Sequence, residues 1–167
     1  MCKYAIGQIY VMATPIQVLR AFAGVACRGK FLPRPYLVVP APPESLPPMK
    51  ESTIATIWDG MRQAVADPRG TVGKIEYGLH RFNIAAKTGT AQFRNEDKIY
   101  HAWLGGFGPL PEPKFAFVVA LEESREYGGR TCAPLVWVLL DYLSKEYAGL
   151  LPGGEPDGSV RPSVEDF

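Results

Sequence analysis

The chain has 167 residues, 47% of them hydrophobic, so it is long enough for one globular domain with a buried core. Eighteen Lys and Arg residues are balanced by 17 Asp and Glu residues, and this balance gives no basic surplus of the kind that binds nucleic acid. The three cysteines are far apart and are accompanied by only two histidines, so the sequence predicts no disulfide framework, no metal site and no cofactor.

The first predicted element is a helix that begins at Thr14-Pro15-Ile16-Gln17. A threonine cap, a proline in the first turn and a glutamine three residues after the cap form a capping box. Gly29 is placed to end this helix in a left-handed conformation. Residues 33–48 contain seven prolines and predict a constrained connector, with a short extended run at 36–39.

A second amphipathic helix is predicted from about Lys50 to Ala66, and Asp67-Pro68-Arg69-Gly70 ends it. Three segments with strand character follow, at 82–93, 101–107 and 114–122, and the short joins favour antiparallel pairing. The run P-L-V-W-V-L-L-D-Y-L within 131–147 predicts a heavily buried helix that lies against the sheet.

These elements predict an α+β fold in which helices cover a three-stranded antiparallel sheet. We expect one domain over residues 1–150. Residues 151–167 are rich in proline, glycine and acids, and we expect a disordered tail there. No run of about 18 apolar residues occurs, and the first residues lack the pattern of a secretory signal, so the sequence predicts no membrane anchor.

The stretch A-A-K-T-G-T-A-Q at residues 85–92 is the candidate for chemistry. Strand alternation sends Lys87 and Gly89 to one face and Thr88 and Thr90 to the other. An ammonium group, two hydroxyls and the backbone N–H groups of an edge strand form a site suited to a carboxylate. Taken alone, the tripeptide also fits a solvated lysine that protects an edge strand from aggregation.

The wider context resembles a known family. K-T-G is the third motif of serine β-lactamases and penicillin-binding proteins. With three further segments, the chain resembles the last part of the transpeptidase domain of class B penicillin-binding proteins, most closely the elongation type. These segments are I-G-Q-I-Y-V-M-A-T-P-I-Q-V-L-R-A at 6–21, H-A-W-L-G-G-F-G-P at 101–109 and F-A-F-V-V-A-L-E-E at 115–123.

The resemblance implies roles for the K-T-G strand as one wall of an active-site cleft. Lys87 would supply positive charge, the hydroxyls of Thr88 and Thr90 would hold a substrate carboxylate, and the backbone N–H of Thr90 would be an oxyanion-hole donor. Gly89 would keep the cleft open. The implied ligands are the D-Ala-D-Ala end of a peptidoglycan stem peptide and β-lactams, at the periplasmic, outer face of the inner membrane.

Two motifs of that family are missing from the sequence. None of the six serines begins S-x-x-K, the pairing that activates the nucleophile, and none begins S-x-N. The sequence therefore predicts the C-terminal portion of a longer enzyme, whose N-terminal half is an expected partner, and it predicts no acylation by the isolated chain. The alternatives are a non-catalytic β-lactam-binding or degenerate relative and part of a serine β-lactamase or carboxypeptidase.

Other candidate sites carry less weight. Thr71 to Lys74 imitates S-x-x-K but lies in a glycine-bearing loop, and the P-loop-like stretch that ends at Phe31 follows a helix instead of preceding one. His101 and Trp103 fit either core packing or cleft lining, and the sequence favours packing. The acidic residues after the third strand predict a solvated loop near the cleft mouth.

Overall fold

The computed structural model describes residues 12–33, 42–47, 49–74, 78–94, 98–147 and 149–151, without the side chains of residues 93 and 94. The predicted extended run at 36–39 and all but the first residue of the predicted tail lie outside these ranges. The elements in chain order are α1 (Pro15–Ala26), β1 (Phe31–Leu32), β2 (Glu44–Ser45), α2 (Glu51–Ala66), a 3₁₀ turn (Leu79–Phe82), β3 (Ala85–Arg94), β4 (Ile99–Gly108), β5 (Phe115–Ser124) and α3 (Gly128–Glu146).

The main sheet has the order β3-β4-β5, and both of its pairings are antiparallel. This confirms the predicted three-stranded sheet and its hairpins. β3 and β5 are the edges of the sheet among the described residues. β1, just before the proline-rich connector, and β2, within it, form a separate antiparallel pair of two residues each, which the sequence did not predict.

Helices cover the sheet, as predicted, and the structure shows that they do so on both of its faces. The face that carries Ala85 and Phe107 packs against α1 and α2, and the opposite face packs against α3. The core on the α3 side is the larger one and includes Phe82, Leu104, Phe117, Val136, Trp137 and Leu140. The core on the other side includes Ile54, Trp58, Met61, Ala85 and Phe107.

Helix α1 has both predicted ends. The hydroxyl of Thr14 accepts a hydrogen bond from the backbone N–H of Gln17, and the Gln17 side chain accepts one from the Thr14 N–H, which completes the capping box. Gly29 has a φ of +66° and its N–H donates to the carbonyl of Gly24 at 2.9 Å, but Arg28, with a φ of +55°, holds the left-handed position directly after the cap residue Cys27. The P-loop-like stretch is therefore a helix end.

Two boundaries differ from the prediction by three residues each, and the other helix and strand ends by at most two. The first strand was expected from residue 82, but β3 begins at Ala85 because Leu79–Phe82 form a 3₁₀ turn and Asn83 is left-handed. The apolar side chain of Phe82, which suggested a strand, is instead buried against Trp137 from within the 3₁₀ turn. The last helix begins at Gly128, before the predicted start at residue 131. Within the described ranges, no helix combines the length and apolar character needed to cross a membrane.

Candidate functional site

The A-A-K-T-G-T-A-Q stretch lies within β3, at the edge of the sheet. Lys87 is opposite Gly105 and Gly89 is opposite Trp103 in β4. A Cβ placed on Gly89 would stand 3.1 Å from the Cβ of Trp103, so Gly89 faces the α1 side of the sheet. Because side chains alternate along a strand, Lys87 shares that face.

Thr88 and Thr90 face α3, on the opposite side of the sheet. The Thr90 hydroxyl accepts a hydrogen bond from the backbone N–H of Gly128, at 3.1 Å from N to Oγ1. The methyl group of Thr88 lies 3.3 Å from the position that a Cβ on Gly129 would take. This arrangement confirms the alternation that the sequence predicted for the strand.

A cavity of about 760 Å³ lies beside this strand at the edge of the sheet, and residues of both alternating sets of β3 are among its lining. Ala85, which belongs to the core cluster with Ile54, Trp58 and Met61 of α2, is not part of the cavity lining. Its wall is mostly apolar. It is lined by residues 87–91 of β3 and, among others, by Val18, Phe22, His101, Trp103, Val118 and Glu122.

Lys87 is exposed, and its Nζ donates to the backbone carbonyl of Thr88 at 2.7 Å. The ammonium group therefore lies along the strand, at the rim of the cavity. A lysine at the edge of a mostly apolar cavity, next to two hydroxyl-bearing residues, can attract and hold an anion.

The other candidates take different places. His101 and Trp103 are half-buried and line the cavity, so the lining alternative describes them better than the core packing that the sequence favoured. Glu122 and Glu123 are exposed, and Glu122 reaches the cavity mouth. Residues 71–74 form a turn and not a helix, so they lack the one-turn spacing that an S-x-x-K pair requires.

Three residues of the site were missed by the sequence analysis. Gly128 and Gly129 begin α3 and lie against the K-T-G strand, and Phe22 of α1 closes the cavity floor under Gly105. Thr90 and Gly128 are 38 residues apart, and a contact across that distance leaves no trace in the local pattern. The glycine pair was the available signal, because glycines at a helix start indicate a close approach when no turn explains them.

Comparison with known proteins supports the resemblance. The family model described as the penicillin binding protein transpeptidase domain matches residues 1–141. Peptidoglycan D,D-transpeptidase FtsI of Escherichia coli (strain K12) is 32% identical over 139 residues, which cover 78% of this chain and 23% of the relative. Peptidoglycan D,D-transpeptidase MrdA of Salmonella typhimurium (strain SL1344) is 31% identical over 164 residues, which cover 83% and 26%.

A solved structure of a penicillin-binding protein has a similar fold. Penicillin-binding protein PBP2 from Helicobacter pylori matches with a TM-score of 0.72 and 26% identity, over 85% of this chain and 26% of that chain. The chain spans about a quarter of the length of the curated relatives it matches. The family match, the relatives and the shared fold together show that the chain belongs to the transpeptidase domain family of the class B penicillin-binding proteins.

Proposed function

We propose that this chain supplies the carboxylate- and oxyanion-binding wall of a peptidoglycan D,D-transpeptidase that cross-links the cell wall. The observation that carries the proposal is the position of K-T-G-T. The four residues lie on an open sheet edge, at the rim of a cavity, in a chain of the transpeptidase family. The elongation type and a place at the outer face of the inner membrane come into this proposal from the resemblance in sequence; MrdA and a PBP2 structure are among the matches, and so is FtsI.

Each residue of the strand has a role in this proposal. Lys87 attracts the C-terminal carboxylate of a stem peptide or the carboxylate of a β-lactam. The hydroxyls of Thr88 and Thr90 donate to that carboxylate, and the backbone N–H of Thr90 donates to the oxyanion. Gly89 leaves the cavity open, since any side chain there would point at Trp103 on the cavity wall.

The reaction is an acyl transfer in two steps. A serine hydroxyl attacks the carbonyl carbon between the two terminal D-alanines, the amide bond breaks, and the last D-alanine leaves with the proton. The resulting ester is then attacked by an amine of a neighbouring stem peptide, which forms the cross-link and restores the serine. The proposed wall holds the carboxylate before the first step and the oxyanion during both.

We further propose that the serine comes from a segment outside this sequence, the N-terminal half of the same enzyme. The sequence has no S-x-x-K, and the cavity beside Lys87 has the size and apolar lining to receive packed side chains of another element. A helix seated there would bring its serine and lysine next to the proposed carboxylate site. The same absence of S-x-x-K favours a second candidate, a non-catalytic relative that binds β-lactams reversibly.

A binding experiment tests the carboxylate site. Trp103 lines the cavity, so its fluorescence should report titration of the full chain with N-acetyl-D-alanyl-D-alanine. A hydrogen bond to a charged group contributes about 1.5–3 kcal/mol, so Lys87→Ala should raise the Kd at least about tenfold. Lys74→Ala is the matched control, because Lys74 is also exposed but lies in the turn at 71–74. Equal affinities for the two variants would contradict the proposal.

A labelling experiment tests the origin of the nucleophile. The full chain incubated with a fluorescent penicillin should give no covalent band after denaturing electrophoresis, while a class B transpeptidase that contains S-x-x-K gives one under the same conditions. A stoichiometric covalent band on this chain would contradict the proposal that its serines are not nucleophiles. Reversible binding without a band, combined with the Lys87 effect, is the expected pair of results.

A further inference from the structure

Helix α3 begins without a cap of its own. Tyr127 occupies the position before the helix and its side chain makes no capping hydrogen bond. The cap comes from β3 instead, because the N–H of Gly128 donates to the hydroxyl oxygen of Thr90 at 3.1 Å in a partly buried contact. A hydroxyl oxygen that accepts an N–H of the first helical turn is what a capping side chain normally provides.

Gly128 and Gly129 are buried, and the space around them is full. A Cβ on Gly128 would lie 2.1 Å from the carbonyl oxygen of Gly89 and 2.6 Å from that of Trp103. A Cβ on Gly129 would lie 2.7 Å from the carbonyl oxygen of Thr71. Neither glycine has a positive φ, so the backbone conformation does not require glycine at these positions. The close contacts do, because they leave no room for a side chain. The helix end therefore rests on the backbone of the K-T-G strand.

The same helix end is fixed to β5. The hydroxyls of Ser124 and Thr131 are 3.0 Å apart, and Ser124 donates to the carbonyl of Glu126 at 2.9 Å. The single hydroxyl proton of Thr131 has two acceptors within reach, the Ser124 hydroxyl and the carbonyl of Tyr127, which is 3.3 Å away. The contact between Ser124 and Thr131 joins the start of α3 to the end of β5, close to the Gly128 N–H that donates to Thr90.

We propose that Gly128 and Gly129 are positioning residues, through which the start of α3 makes the Thr90 hydroxyl a hydrogen-bond donor for the bound carboxylate. The N–H of Gly128 occupies a lone pair of Thr90 Oγ1, which directs the hydroxyl proton to another acceptor. The positive end of the helix dipole lies on the same oxygen and strengthens it as a donor to an anion. The inference rests on the proposed carboxylate site, to which it assigns a geometry.

A comparison that needs no ligand tests the hydrogen bond. In ¹⁵N–¹H correlation spectra of the full chain, Thr90→Val should move the Gly128 amide proton upfield and speed its exchange with solvent, because the acceptor is lost. Thr90→Ser keeps the hydroxyl and should leave both close to the wild type. An unchanged Gly128 amide in Thr90→Val would overturn the inference.

Titration with N-acetyl-D-alanyl-D-alanine tests the coupling to the ligand. Binding should shift the Gly128 amide, although Gly128 donates to Thr90 and not to the peptide, and this shift should vanish in Thr90→Val. Thr90→Val should raise the Kd about tenfold, and Thr90→Ser should keep it within about twofold, as expected for one hydrogen bond to a charged group.

Gly128→Ala should weaken binding at least about fivefold, because a Cβ there forces the helix end away from Gly89. Gly60→Ala is its control, since a Cβ on Gly60 meets nothing within 4 Å and should leave the Kd unchanged. Binding that shifts residues 87–89, leaves Gly128 unmoved and is unaffected by Thr90→Val would overturn the inference and the proposed role of the Thr90 hydroxyl. It would leave standing a carboxylate site formed by Lys87 and Thr88. No saturable binding by the wild type would overturn the proposed carboxylate site, and the ligand-free comparison would still decide the hydrogen bond.

Discussion

Removal of the buried carboxylate of Asp141 should be a costly change to the stability of this chain. Asp141 lies in α3 with 8% of its surface exposed, and it forms ion pairs with Arg81 at 3.2 Å and Lys145 at 2.6 Å. The Arg81 side chain is only 10% exposed, and its guanidinium lies over the rings of Phe82 and Trp137, 4.8 and 5.4 Å from their centroids. Arg81 therefore has little water to replace a lost partner.

The two ion pairs contribute unequally, which gives the expected magnitude. Lys145 is 58% exposed, so its pair with Asp141 contributes no more than about 0.5 kcal/mol. Arg81 would be left as an unpaired buried charge, which costs about 3–5 kcal/mol. We expect Asp141→Ala to lower the free energy of unfolding by about 3–4 kcal/mol. Asp59→Ala is the control, because Asp59 pairs with the exposed Arg62 and should cost less than about 1 kcal/mol.

A double variant separates the buried charge from the packing. Arg81→Met with Asp141→Leu removes both charges and keeps apolar volume, and exchanges of this kind in buried ion pairs are often neutral. We expect the double variant to cost well under half of Asp141→Ala. Urea unfolding followed by tryptophan fluorescence gives all the values, since Trp137 lies at the cluster. The reasoning would be refuted if Asp141→Ala lowered the free energy of unfolding no more than Asp59→Ala does. It would also be refuted if the double variant lost as much stability as Asp141→Ala.

Two further predictions use the same measurement. Gly106→Ala should lower the free energy of unfolding by about 3 kcal/mol, because a Cβ there meets the backbone oxygen of Ala85 at 2.4 Å. Gly105→Ala should lower it by about 1 kcal/mol, because a Cβ there meets the ring of Phe22, which can move. Equal losses for the two variants would contradict this explanation. Burial raises the pKa of the Cys132 thiol from 9.0 to about 11, so the native state holds this proton more tightly than the unfolded chain. The protonated thiol therefore contributes fully to the free energy of unfolding below pH 9, and this contribution is lost as the pH rises to 11. The difference in the free energy of unfolding between wild type and Cys132→Ala should shrink over that range, and a constant difference would contradict the prediction.

The fold was predictable from the sequence wherever the signal was local. The capping box of α1 and the alternation in β3 involve residues at most four apart, and both are confirmed. The errors lie where a long-range contact decides the structure. Phe82 packs against Trp137 of α3, and in the sequence an apolar residue buried in this way looks the same as a buried strand residue. The β1–β2 pair has only two residues in each strand, which is too short to give a recognisable alternation.

In the candidate site, too, the local features were predictable from the sequence and the long-range ones were not. The period of two along β3 is enough to assign Lys87 and Thr90 to opposite faces of the strand. It could not show that both residues belong to the lining of one cavity, because that depends on the position of β3 at the sheet edge. Nor could it show that the hydroxyl of Thr90 caps a helix that begins 38 residues later. The proposed anion site is therefore a property of the assembled edge, in which a strand would supply the donors and the start of a distant helix would set the direction of one of them.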